Sequence, residues 1–401
     1  MCFAETDIYL PKEHQNPEFM QNWAVIACDQ YTSDINYWNR VRDFTQNSIS
    51  ALNLIFPEIY LERENEEQKQ NRIKNIAKTM EKYSDDLICF ENAMFLTERT
   101  LKNGAKRYGI IGAVDLEEYS YDKNSKTKIR STEETVISRL PPRVKIRQNA
   151  GLELPHIMVL YDDETNNLIT ALKNQNLEKI YDFKLMENSG SIKTYLIDKK
   201  NIDFVKTAIN NFKNQNLLFA VGDGNHSLAA AKECYEKIKS TSKEASNHPA
   251  RYALVEIVNI YDSSLNFEPI YRILFDVDPL DVIKKFKENN DGDNIHEFEV
   301  CYKKQNHRIE IKSKYTLPVK ALQMFLDDYL EKHGGRIDYI HGKNELTRFA
   351  ENEKAIGFIC GTVPKSGFFK AIEKDGVLPR KTFSMGEADD KRFYIECKKI
   401  K

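Results

Sequence analysis

The sequence predicts a mixed α/β fold of the α+β kind, built in two parts. Three observations predict it. At 401 residues the chain exceeds what one ordinary hydrophobic core holds, so two domains are expected. Short apolar runs of strand length intermingle with charge-rich stretches of helical period, without a strict βαβ alternation. Hydrophobic residues make up 41% of the chain, with 21 Phe and 20 Tyr, which suffices for a sizeable core and argues against disorder. The polar stretch 239–249 is the expected boundary. It divides a core portion, 1–240, with inserted hairpins and helices, from a C-terminal α/β portion, 241–401, the two working as one functional unit.

The elements follow in order. Residues 23–28, Trp-Ala-Val-Ile-Ala-Cys, read as a buried strand. A helix follows, with Ser33 or Asp34 as N-cap and Tyr37, Trp38 and Val41 on one side. Residues 62–82 carry Ile73, Ile76 and Met80 at helical spacing in a charged background, an amphipathic helix. Residues 93–116 read as a hairpin turning at Lys102-Asn103-Gly104, where both turn positions tolerate positive φ. Ser131-Thr-Glu-Glu134 is a capping-box pattern that opens a helix toward Leu140, with Pro141-Pro142 ending or offsetting it.

Residues 156–161 are a strand, Asn188-Ser189-Gly190 a second hairpin turn, and 201–213 a helix. Residues 217–221, Leu-Leu-Phe-Ala-Val, form a buried strand leading into Gly222–Ser227 and an Ala-rich helix over 228–237. Beyond Lys243, residues 252–275, 296–314, 336–341 and 356–361 are strand-like and 279–289, 319–332 and 366–374 helical, with Gly334-Gly335 as a C-cap. Residues 392–397 read as a last strand.

Composition excludes several classes. With 59 Lys+Arg against 61 Asp+Glu, the net charge of −2 argues against a nucleic-acid coat. No apolar run approaches the ~18–20 residues that span a bilayer, and the N-terminus does not read as a signal peptide. Seven scattered cysteines, with no CxxC pair, fit reduced thiols in a cytoplasm. The eight histidines show no HExxH or HxH spacing, no GxSxG elbow occurs, and neither a P-loop nor a complete GxGxxG is present.

Val221-Gly-Asp-Gly-Asn-His-Ser-Leu228 is the sharpest feature. A buried strand, a small-residue turn and a helix start together make an anion site: Gly222 and Gly224 permit close approach, and the first helix amides point outward. Asp223 is a candidate metal ligand, and His226 a candidate phosphate partner or proton carrier. The plainer reading is a tight turn with Asn225 or Ser227 as N-cap.

Cys28-Asp-Gln-Tyr-Thr-Ser33 offers Asp29 as a general base or metal ligand, or merely a turn opener. The basic groups of 141–147, Arg143 among them, either grip phosphate or form a salt-bridged surface. Leu378-Pro-Arg-Lys-Thr-Phe-Ser-Met-Gly386, with Lys381, is either a phosphate lid or an exposed loop.

Val221-Gly-Asp-Gly-Asn-His-Ser-Leu-Ala-Ala-Ala-Lys232 resembles the bacterial and archaeal family called domain of unknown function 1015. So do the stretches at 27–33, 140–147, 154–158, 267–270, 340–342 and 378–386. The family's hallmark is an Asp-Gly-His-His-Arg-like motif; the branch resembled here carries Asp-Gly-Asn-His-Ser-Leu. That motif is similar to the phosphate motif of ParB-type CTPases and free serine kinases, and members of the branch lie beside serine-biosynthesis genes.

The resemblance implies a ParB/serine-kinase-like nucleotide-binding core, ATP or ADP with magnesium as cofactors, and phosphorylation of free L-serine to O-phosphoserine. It implies that Gly222, Asp223, Gly224, Asn225, His226 and Ser227 surround the phosphates, with Asp223 on the metal. The family's usual Arg is Ser227 here, so either another cation, such as Arg143 or Lys381, substitutes or phosphate binding is weaker. The free serine kinases use a glutamate base near their N-terminus; Asp29 is the substitute in this chain.

Two other classes of reading stand beside the kinase. One is a ParB-like nucleotide-binding regulatory protein without kinase activity. The other is a structural partner of serine-pathway enzymes. The expected partner is a small molecule, serine or similar, with no membrane or nucleic acid; a homo-oligomer stays open.

Overall fold

The computed structural model describes the chain except residues 27–30, 32, 33, 46, 47 and 304. It is mixed α/β and divides into two compact units. The first comprises Met1–Ser131, Thr135–Leu265 and Gly386–Lys401; the second comprises Thr132–Glu134 and Asn266–Met385.

The first unit is built on an eleven-stranded mixed sheet. Its main path runs Tyr119–Ser120, Ile129–Ser131, Phe219–Asp223, Met158–Tyr161, Tyr252–Asn259, Lys106–Asp115, Leu87–Thr100, Ser191–Ile197 and Glu178–Lys184. Both faces are covered, which explains the near-continuous apolar runs of its central strands. Phe95, Ile111 and Leu254 pack into one core. Their neighbours Met94, Leu96, Ile110, Ala253 and Val255 pack into the other, as the two-residue period of a strand requires.

Phe219–Asp223 is parallel to Ile129–Ser131 and antiparallel to Met158–Tyr161. The chain leaving Ser131, the chain leaving Asp223 and the chain entering Met158 therefore meet at one end of the sheet.

Several expected elements are present. Leu87–Thr100 and Lys106–Asp115 form the hairpin, with Gly104 at φ +84° and the Asn103 side chain accepting from Ala105 N–H at 2.9 Å. Glu66–Tyr83 is the amphipathic helix, opened by an Asn65–Gln68 capping box. Asp34 caps Ile35–Phe44, accepting from Tyr37 N–H at 3.0 Å, and Tyr37, Trp38 and Val41 are its buried face. Glu178–Lys184 and Ser191–Ile197 flank the second hairpin turn.

Three expectations are corrected. Of the run 23–28, residues 27 and 28 lie outside the described residues, and the described part, 23–26, does not form a strand. Asn16 caps a helix, Pro17–Trp23, that ends in the run, and Val25 makes only an isolated bridge to Tyr394. An apolar run this short fits a buried helix end as well as a strand.

Ser131–Glu134 opens no helix. Ser131 ends a strand, Thr132 C=O accepts from Leu378 N–H at 2.7 Å, and Glu133 bridges Leu378 in extended conformation. The helix is Leu140–Asn149, with its prolines in the first turn. Proline lacks an N–H, so Pro141 and Pro142 suit a helix start, not its interior. Residues 392–397 likewise contribute isolated bridges at Tyr394 and Cys397, followed by the two-residue strand Lys398–Lys399.

The second unit holds a six-stranded sheet. Its path is Gln305–Ser313, Asn294–Tyr302, Ala355–Ile359, Phe267–Phe275 and Arg336–His341, with Phe383–Met385 pairing Phe267–Phe275. Helices Pro279–Glu288, Pro318–His333, Lys343–Phe349 and Lys365–Asp375 accompany it. Phe286 centres its core, with ring centroids 4.8 Å from Phe325 and 5.1 Å from Phe298.

Among the described residues no helix is long and apolar enough to cross a membrane. Cys2, Cys89, Cys234, Cys301, Cys360 and Cys397 are free thiols.

Candidate functional site

The strand Phe219–Asp223 loses register against Met158–Tyr161 between Val221 and Asp223: Val221 opposes Val159 and Asp223 opposes Met158, so Gly222 is the extra residue of a bulge. A bulge bends its strand and re-aims the next side chain. Asp223 thus reaches the sheet end with one carboxylate oxygen accepting from Gly224 N–H at 2.9 Å.

Gly224 follows in the left-handed region at φ +81°, and a Cβ there would lie 3.0 Å from Ile157 Cγ1. Only glycine makes this turn without strain. The helix Asn225–Thr241 then begins with Gly224 as N-cap and no side-chain cap. The Asn225 side-chain oxygen is buried and without a hydrogen-bond partner. Neither Asn225 nor Ser227 serves as the side-chain N-cap of the plainer reading.

The helix is seated by small residues. Ala229, Ala230 and Cys234 pack with Leu140 and Val144 of the helix Leu140–Asn149. Arg143 on that second helix is ion-paired with Glu58 and donates to Arg139 C=O at 2.9 Å. His226 Nε2 accepts from Val136 N–H at 3.2 Å. That contact uses a lone pair on Nε2.

Two groups to which the sequence assigns no role complete the neighbourhood. Lys391 Nζ lies 3.4 Å from Asp223 Oδ2, with its side chain only 12% exposed. His156 Nδ1 pairs with Tyr394 O–H at 2.7 Å. Burial pushes the His156 pKa down, while the Asp223 and Glu58 carboxylates oppose that shift.

Lys391 and Tyr394 sit on the segment Gly386–Lys401, which returns to the first unit. A run of four charges, Asp389-Asp390-Lys391-Arg392, marks it in the sequence, but nothing local assigns its partners.

Asp29 lies outside the described residues. Lys381 belongs to the second unit, exposed, at φ +58°. Its backbone N–H and that of Thr382 donate to the Glu133 carboxylate.

The family model described as "Protein of unknown function (DUF1015)" matches residues 10–329. The chain belongs to the DUF1015 family. No curated protein matches it.

Three solved structures are similar to this DUF1015 chain. A conserved hypothetical protein from Pyrococcus furiosus is 12% identical, over 71% of this chain and 93% of its own, with a TM-score of 0.35. A free serine kinase in complex with AMP is 10% identical, over 72% and 90%, with a TM-score of 0.37. SbnI with a C-terminal truncation, from Staphylococcus aureus, is 8% identical, over 71% and 82%, with a TM-score of 0.35.

The bulge, the glycine turn and His226 of this DUF1015 chain fall within the matched residues. Lys391 and its strap fall outside them.

The arrangement suits phosphate chemistry. An uncapped helix start presents backbone donors and the positive end of the helix dipole. Among the described residues no group of three or more His, Cys, Asp or Glu is placed to hold a metal ion. Asp223 alone still fits magnesium, which is commonly held by one or two carboxylates together with substrate phosphates and water.

Proposed function

We propose that the Gly222–Ser227 turn binds nucleotide phosphates and that the protein transfers a phosphoryl group to a small hydroxyl compound, free L-serine first, giving O-phosphoserine. The uncapped helix start behind a bulged strand carries this reading, with Asp223 beside it. The motif's resemblance to those of the free serine kinases supplies the acceptor; the distant structural likenesses supply nothing to it.

In the reaction the acceptor hydroxyl oxygen forms a bond to the terminal phosphorus. The bond from that phosphorus to the bridging oxygen breaks, and the nucleotide leaves with the electron pair. Such transfers need positioning and charge neutralisation more than covalent help from the protein. The helix amides are proposed to donate to phosphate oxygens, with His226 as their side-chain partner. Magnesium, when bound at Asp223, neutralises charge on the phosphates. Asp29 is proposed to accept the hydroxyl proton.

A thermal-shift panel tests the reading. ATP, ADP, CTP and GTP, each with and without serine, are scanned with the wild type and with Asp223→Asn. A ligand that binds only the folded state raises the melting point, by about 2.7 kcal/mol of stability at a hundred times its Kd. A rise with ATP or ADP, reduced in Asp223→Asn, is expected. No rise with any nucleotide contradicts nucleotide binding; a rise without phosphoserine formation favours the ParB-like regulatory alternative.

A further inference from the structure

A phosphate at a helix start retains charge that backbone donors offset only in part. We propose that Lys391 is the phosphate-binding cation of this site, moving its ammonium from Asp223 to a phosphate oxygen when ligand arrives; this rests on the phosphate reading of the Gly222–Ser227 turn.

The strap that carries Lys391 is held on both sides of it. Arg99 Nη2 donates to Asp389 C=O at 2.9 Å and Arg107 Nη1 to Asp390 C=O at 2.8 Å; both arginines are 3% exposed. On the other side Arg392, 5% exposed, binds Glu256 Oε2 at 3.0 Å, Glu396 Oε2 at 2.6 Å and Pro155 C=O. Tyr394 adds its bond to His156 and a backbone bond to Val25 C=O at 2.8 Å. Three buried guanidiniums thus bracket one lysine.

Magnitudes separate a working lysine from a structural one. A Lys–Asp pair as buried as this one returns little net stability, because desolvation of the two charges offsets their attraction. Burying three guanidiniums costs several kcal/mol each before pairing. Anchoring on that scale exceeds what the ion pair returns, and it fits a group that must be placed accurately. The lysine stem is flexible and its ammonium has three donors, so Nζ can pivot while the strap stays still.

Two cations on the adjoining helices, Arg143 and Lys232, are committed. Arg143 is held by Glu58, and Lys232 by Leu116 C=O at 2.8 Å and Glu236 at 2.6 Å.

The test is calorimetric binding of pyrophosphate, ADP and adenosine to the wild type, Lys391→Met and Lys391→Arg, with melting temperatures recorded alongside. Lys391→Met is expected to weaken pyrophosphate and ADP roughly tenfold to a hundredfold, to leave adenosine unchanged, and to melt close to the wild type. Lys391→Arg should recover most of the loss, and Lys391→Gln replaces the Met variant if the latter misfolds. Wild-type affinity for both phosphate ligands in the neutral variant overturns the proposal. Pyrophosphate binding that needs Lys391, without nucleotide binding, supports Lys391 and removes the nucleotide reading. A wild type that binds none of the three removes both.

Discussion

Lys391 Nζ stands 3.4 Å from Asp223 Oδ2. The pair joins the strap Gly386–Lys401 to the bulged end of Phe219–Asp223, so two segments far apart in sequence form one polar site. Its neighbours divide the work. Gly222 and Gly224 shape the turn, and Arg392 fixes the strap. These roles predict how substitutions behave.

Gly224→Ala places a Cβ at φ +81°, 3.0 Å from Ile157 Cγ1 and 3.1 Å from Ile157 Cα. The variant should lose roughly 1–3 kcal/mol of stability and any nucleotide-induced rise in melting temperature. Urea unfolding checks the first effect and a thermal shift the second. Full stability would show that the turn tolerates a side chain.

Arg392→Met leaves Glu256 and Glu396 buried without their shared partner. Breaking a buried ion pair in this way costs about 3–5 kcal/mol. Adding Glu256→Gln and Glu396→Gln should restore part of the loss, because the stranded charges are then gone. A single variant as stable as the wild type would contradict the anchoring role.

Glu133 supplies a pH signature within the second unit. Burial pushes its carboxyl up to about 7, against the Lys381 and Thr382 N–H groups that favour the anion. The native state therefore holds this proton more tightly than the unfolded chain, whose ordinary value is 4.5. Stability from this group is greatest below 4.5 and falls as pH rises toward about 7. The melting difference between wild type and Glu133→Gln should fall across that window and stay level above it. A pH-independent difference would contradict the assignment.

His156 works in the opposite sense. Its native pKa lies below the ordinary 6.5, so the unfolded chain takes up the proton first. Its contribution is complete above 6.5 and is lost as pH falls toward the native value. Relative to His156→Gln, which keeps a partner for Tyr394, the wild type should lose melting temperature on acidification below 6.5. A relative gain instead would mean that Asp223 and Glu58 outweigh burial.

Local signals were legible where the causes are local. The Asn103-Gly104 turn, the Asp34 cap and the stripe of Ile73, Ile76 and Met80 depend on residues within a few positions of one another. The strand-to-helix turn at Gly222–Ser227 was legible for the same reason.

What escaped depends on contacts between distant segments. Trp23 closes a helix because its indole N–H reaches Ile395 C=O at 2.8 Å. Glu133 lies extended where Leu378 bridges it, with Thr132 C=O accepting from Leu378 N–H. The bulge at Gly222 needs Met158 and Val159 opposite it, and Lys391 acquires meaning only through Asp223. The charges of 389–392 look like any solvated surface run until three buried arginines are seen holding that strap.

Phosphorus NMR of the purified protein with L-serine, magnesium and either ATP or ADP tests the central claim most directly. An O-phosphoserine resonance should grow as the nucleotide loses one phosphate, and it should be absent with Asp223→Asn. A spectrum in which neither nucleotide yields phosphoserine with the folded wild-type protein would contradict it.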